Sequence, residues 1–118
     1  MWYTFVVRKK LAKKTEQKER NLEALRPRAD EAARWIKALA NPNRLMILCT
    51  LVSGELSVGE LNQRVELSQS ALSQHLSVLR RDGLVSTRRE AQTIYYSLAD
   101  ESASRVIEIL HARFCASG

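Results

Sequence analysis

The chain has 118 residues, 45% of them hydrophobic, with four glycines, two prolines and two cysteines. This composition suits one compact, mainly helical domain and leaves no space for a second. It contains no run of about 18 apolar residues that would span a bilayer, and the apolar opening MWYTFVV is too short for a secretory signal, with its basic residues on the wrong side, so a cytoplasmic location is expected. The formal net charge of +6 invites a nucleic-acid partner but is unevenly placed. Residues 1–28 carry nine basic side chains (Arg8, Lys9, Lys10, Lys13, Lys14, Lys18, Arg20, Arg26, Arg28) against three acids (Glu16, Glu19, Glu23), which leaves ten of each sign in residues 29–118. The larger part is electrically neutral, so a DNA-binding assignment must rest on pattern.

In chain order, the segment Arg8–Leu25 is charged and holds few apolar residues (Leu11, Leu22, Leu25), which is compatible with either a solvated helix or a disordered arm. Pro27 separates this arm, residues 1–28, from a domain over 29–118. Ala29, Ala32, Ala33, Ile36 and Ala40 then recur at helical spacing, and Trp35 and Leu39 widen the apolar arc enough to suggest core on one side and a partner subunit on the other. Asn41 and Pro42 form a helix start, and RLMILCTLV follows as a helix apolar nearly all round that should be buried. After Gly54, Ser57 to Glu60 read as a capping box for a short helix with Val58, Leu61 and Val65 inside. Ser68 caps the next helix, SQSALSQHLSVLRRDG, which Gly83 ends. The period then changes to that of strands: LVSTRR, a turn at Glu90, Ala91 and Gln92, and TIYYSL form a β-hairpin. Asp100 caps a last helix with Ala103, Val106, Ile107, Leu110 and Phe114 in one stripe.

Two short helices joined by a tight turn and followed by a hairpin make a winged helix-turn-helix, whose second helix enters the major groove of DNA. At about 100° per residue, Leu72, Leu76 and Leu79 gather on one side and Ser70, Ser73, Gln74 and Ser77 on the other. Small polar side chains approach base edges closely, and Gln suits adenine. Ser68, Gln69 and Ser70 bring the helix N-terminus to a phosphate, Arg80, Arg81, Arg88 and Arg89 supply phosphate contacts, and Gln92 at the wing tip supplies a minor-groove contact. A Ser/Gln face is equally a plain soluble surface, and the arginines and the wing shift the balance. His75, at the edge of the inner face, is expected to be structural rather than a DNA contact.

The segments ALANPNRLMIL, ELSVGELNQRVELSQSALSQHLSVLRRDGLV and EAQTIYYSL, within residues 29–115, resemble the ArsR family of bacterial winged-helix repressors. The arm lies outside the match, as an overextended start of the reading frame would. The resemblance implies a homodimer built largely on the first and last helices of the domain, which represses an operator with inverted half-sites and releases it on meeting an inducer. Metal-sensing relatives carry thiolates in a pattern like ELCVCDL, because a soft ion needs sulfur ligands close together. Here the stretch is ELSVGEL, with Ser57 and Gly59 at those positions. Zinc and cobalt sensors use Asp and His pairs on the last helix; here Glu108 and His111 stand alone there, so no metal and no cofactor is expected.

The placement of Cys49 and Cys115 resembles a dithiol subgroup of the family that responds to reactive sulfur species or oxidants. By its sequence surroundings alone Cys49 reads as a small buried hydrophobe, whereas Cys115 lies about 120° from its helix's apolar stripe and is not explained by packing. The resemblance therefore implies operator release through a Cys49–Cys115 disulfide or polysulfide. Two alternatives stay open: a DNA-binding regulator with inert thiols that competes with another DNA-binding protein, and a winged helix used for protein contacts. No nucleophile stands with a base and an orienting partner, so catalysis is not expected.

Overall fold

The computed structural model describes residues 2–115. Its contacts divide into two units, before and after the Ala33/Arg34 bond. In the first, α1 (Trp2–Leu25) is one unbroken helix of 24 residues, which decides between the two readings of the charged segment. Pro27 sits in a one-turn 3-10 helix, Arg26–Arg28, at a position where its missing N–H costs nothing. The division falls later than the 28/29 boundary that Pro27 suggests. Ala29, Asp30, Glu31 and Ala33 stand in solvent, and Trp35 is the earliest described residue packed against the core.

The second unit holds the remainder of α2 (Ala29–Leu39), then α3 (Pro42–Leu51), β1 (Leu56–Ser57), α4 (Val58–Arg64), α5 (Gln69–Arg81), β2 (Val85–Glu90), β3 (Thr93–Leu98) and α6 (Glu101–Phe114). Each start is set locally. The Asn41 side chain accepts from the amides of Asn43 and Arg44 at 2.9 and 3.1 Å. Ser57 and Glu60 close a reciprocal capping box, which holds the Glu60 carboxyl below its ordinary range through the Ser57 amide and hydroxyl. Ser68 Oγ accepts from the Ala71 amide, and Asp100 from that of Ser102. At the far end of α5, Gly83 takes φ +77°, the Leu84 amide reaches back to the Leu79 carbonyl at 2.8 Å, and that of Gly83 reaches Arg80. Leu79 and Leu84 are sealed beside this turn, completing a Schellman motif.

The core is one cluster in which Ile47, Leu48, Leu61, Leu72, Leu79 and Leu84 have no exposed surface. The sheet has three antiparallel strands in the order β1-β3-β2. Its third strand, β1, has no signal of its own in the sequence: it is two residues long and pairs Leu56 with Tyr96 and Ser57 with Tyr95. The wing turn is tighter than the expected three residues. Glu90 pairs with Thr93, so only Ala91 and Gln92 remain in the loop, and Ala91 is forced to φ 56°.

Two expectations about burial are corrected. Helix α3 is buried on one side only, because Met46, Cys49 and Val52 face outward while Ile47, Leu48 and Leu51 face the core. In α6, Ala103 and Ile107 are buried and Val106 and Leu110 pack against the core, but Phe114 is 75% exposed and leaves the stripe. Helical spacing identifies a face but not what covers it.

Candidate nucleic-acid interface and thiol pair

Helix α5 is held by Leu72, Leu76 and Leu79, at 0%, 1% and 0% exposure, so its rotation about its own axis is fixed by burial. That rotation turns Gln69, Ser70, Ser73, Gln74 and Ser77 into solvent, with Ser68 at the cap. Ser77 Oγ donates to the Ser73 carbonyl and Ser68 Oγ lies 3.3 Å from Ser70 Oγ, while Gln69 and Gln74 keep their amides for an outside partner among the described contacts. Arg80 and Arg81 close the helix on the exposed side, Arg81 within 3.1 Å of Asp82.

The two wing arginines differ. The Arg89 Nε donates to the Ala91 carbonyl at 3.3 Å, close to the turn with Gln92, and no carboxylate pairs with it among the described residues. Arg88 is already engaged. Its guanidinium makes a two-pronged contact with Glu55, at 2.7 and 3.0 Å, donates to Glu90 at 2.8 Å and lies over the Tyr95 ring at 4.5 Å. These partners hold the Glu55 carboxyl below its ordinary range and the guanidinium above its own. Arg88 thus braces the middle of the wing against the loop before β1, and its charge is already paired.

Arg44 is a second fixed arginine that sequence reasoning missed. Its Nε donates to the Ala38 carbonyl at 2.6 Å, tying down the open end of α2, and its Nη1 lies 3.4 Å from Nδ1 of His75. His75 is half-buried at this contact, so it joins α5 to α3 rather than facing outward.

Both cysteines are free thiols and both are exposed. Cys49 is therefore not the buried hydrophobe that its sequence neighbours suggest. Helices α3 and α6, which carry or end at the two cysteines, pack against each other. Partial burial pushes the Cys49 thiol up from its ordinary range, and the charge of Cys115 adds to the effect. At the two positions where metal-sensing relatives place thiolates, the Ser57 hydroxyl is committed to its cap and Gly59 has no side chain. Glu108 and His111 stand in solvent on α6, and no three His, Cys, Asp or Glu side chains gather among the described residues.

A second open area lies away from α5. Ile36 on α2, Met46 on α3, and Ile109 and Phe114 on α6 are 60, 59, 66 and 75% exposed. No helix among the described residues is long and apolar enough to cross a membrane.

Residues 41–87 match the family described as bacterial regulatory protein, arsR family. Over 95 residues, 80% of this chain and 88% of the relative, the sequence is 55% identical to the transcriptional activator HlyU of Vibrio cholerae. A solved structure titled reduced HlyU from that species superposes with a TM-score of 0.71 at 54% identity, covering 80% of this chain and 99% of the other. The biofilm growth-associated repressor of Agrobacterium fabrum is 54% identical over 80% of this chain and 81% of its own. The homodimeric winged helix-turn-helix DNA-binding domain Mb0332 of Mycobacterium bovis has 34% identity and a TM-score of 0.68, with 75% of this chain and 82% of that one covered.

Proposed function

This chain belongs to the ArsR family of bacterial winged helix-turn-helix regulators, and from that premise we propose a homodimeric, sequence-specific DNA-binding repressor whose grip on its operator is released by thiol chemistry. The observation that carries the DNA reading is the division of α5 into a sealed leucine face and an exposed Ser/Gln face, with a wing directly after it. Ser70, Ser73, Gln74 and Ser77 read base edges, while Ser68, Gln69, Arg80, Arg81 and Arg89 position the protein on the backbone and Gln92 enters the minor groove. Arg88 acts indirectly, by holding the wing. The second copy covers Ile36, Met46, Ile109 and Phe114, whose large exposed side chains a monomer has no reason to leave in water.

The switch uses Cys115 and Cys49. We assign resolution to Cys49, whose thiolate partial burial disfavours, and attack to Cys115, which stands exposed at the end of α6. Cys115 thiolate takes the outer sulfur of a small-molecule persulfide and releases its thiol. Cys49 then displaces hydrogen sulfide from the Cys115 persulfide, leaving a disulfide. With a peroxide, Cys115 becomes a sulfenic acid and Cys49 expels water. A second persulfide that transfers its outer sulfur into the S–S bond and departs as its thiol lengthens the bridge to a trisulfide. A covalent tie between α3 and α6, the helices that carry Met46, Ile109 and Phe114, changes the packing at the proposed dimer interface and hence the spacing of the two α5 helices.

Cys49→Ser and Cys115→Ser are expected to bind operator normally when reduced and to resist release by glutathione persulfide, with mass spectrometry showing a bridged product in the parent chain alone. Closure of the bridge should accelerate as pH rises through and beyond the ordinary cysteine range, since Cys49 ionises late. Normal release of the Cys49→Ser variant contradicts the bridge and favours inert thiols.

A further inference from the structure

The basic arm has no part in the recognition unit, yet it carries the whole net charge of the chain. Along α1 the acids Glu16, Glu19 and Glu23 follow one another at spacings of three and four and so share one side of the helix. Lys14 and Lys18 project from the opposite side, whereas Lys13 and Arg20 flank the acids, Arg20 lining the same stretch of surface as Glu16, Glu19 and Glu23. All four are exposed, and none has a carboxylate within ion-pairing distance among the described residues. By contrast Arg26 and Arg28 are neutralised by Glu23 and Glu31, at 3.3 and 2.9 Å. The helix thus carries four cations outside any ion pair among the described residues, on a rod about 36 Å long at 1.5 Å per residue.

We infer that α1 is a sequence-independent clamp for duplex DNA phosphates, which supplies the electrostatic attraction that the neutral winged-helix unit lacks. The inference rests on the DNA-binding reading above and deepens it. Recognition by α5 fixes the sequence, and the arm adds affinity and salt dependence through release of counterions. The four cations lie within residues 13–20, about 11 Å of helix, against one phosphate charge per roughly 3.4 Å along each strand of the duplex. Over residues 13–25 charge is what the arm offers: the exposed Leu22 and Leu25 are too few for a continuous apolar stripe, so a lipid surface would gain little from that stretch.

The test compares the full chain with Lys13→Gln/Lys14→Gln/Lys18→Gln/Arg20→Gln, substitutions that keep good helix formers, and with Lys13→Arg/Lys14→Arg/Lys18→Arg, which keeps the charge. Affinity for a random-sequence duplex and for the chain's own upstream DNA is measured over a range of salt. The glutamine variant is expected to lose about tenfold in affinity for both duplexes at low salt, and its log–log salt slope to become shallower by about 2 or more. The arginine variant and the ratio of upstream to random binding stay as in the parent. An unchanged slope in the glutamine variant overturns the clamp, as does parent-chain binding to phosphatidylserine/phosphatidylcholine vesicles that survives at salt where duplex binding is gone. Failure of the α5 reading looks different: the parent chain shows no preference for upstream DNA, while the random duplex still reports on the arm.

Discussion

Helices α5 and α6 have almost the same length, 13 and 14 residues, and both present an apolar stripe at helical spacing, yet the stripes end differently. In α5 every leucine of the stripe is sealed within the chain's own core and the opposite side is small and polar. In α6 the stripe is buried at Ala103 and Ile107, partly covered at Val106 and Leu110, and open at Phe114, with Ile109 exposed beside it. The α5 half is thus complete within one chain, and the orientation of its polar face is fixed by its own core. The half built from α2, α3 and α6 leaves apolar surface open, the surface we propose a second copy covers, and the thiol pair lies in that half. A rigid reader coupled to an unfinished interface is an arrangement in which chemistry at the interface changes DNA binding without altering the reader.

Truncating one side chain from each half separates them most sharply. Leu76→Ala is expected to lower the free energy of unfolding by about 3 kcal/mol in a urea titration, because it leaves a cavity under α5. Phe114→Ala should leave monomer unfolding nearly unchanged and weaken self-association tenfold or more in sedimentation analysis, since its side chain packs on nothing in its own chain that buries it. A large loss of monomer stability from Phe114→Ala would erase the distinction. A smaller effect is expected of Arg88→Gln, which releases Glu55 and loosens the wing. Operator affinity should fall several-fold with little change in melting temperature, as the pair is solvent-exposed. Smallest is Ala91→Gly: relief of the left-handed φ of 56° should raise stability by about 0.5 kcal/mol or more, read from the same titration.

The α5 half was legible in the sequence because its determinants are local. Ser57 with Glu60, Ser68, Gly83 and Asp100 each set an element boundary within four residues, and the burial of Leu72, Leu76 and Leu79 follows from their spacing. What escaped depends on residues far apart in the chain. Strand β1 exists only because β3 offers a partner, and its two residues carry no period. Glu55 turns Arg88 from a free cation into a brace, and Arg44 joins α2 to His75; neither pairing has a sequence signal. The exposure of Met46 and Phe114 was hidden for another reason, whereas the width of the arc around Ile36 already suggested a second covering partner. A stripe meant for a partner subunit obeys the same spacing as one meant for the core.

The central claim is that the exposed face of α5 reads sequence, and fluorescence anisotropy with Ser70→Ala/Ser73→Ala/Gln74→Ala tests it most directly. All three side chains point into solvent, so the fold is expected to survive their removal. The account predicts that the preference for the chain's upstream operator over a random duplex collapses by about a hundredfold, in keeping with roughly 1–3 kcal/mol for each good base contact, while random-duplex affinity and its salt slope stay unchanged. A triple variant that keeps its full operator preference contradicts it.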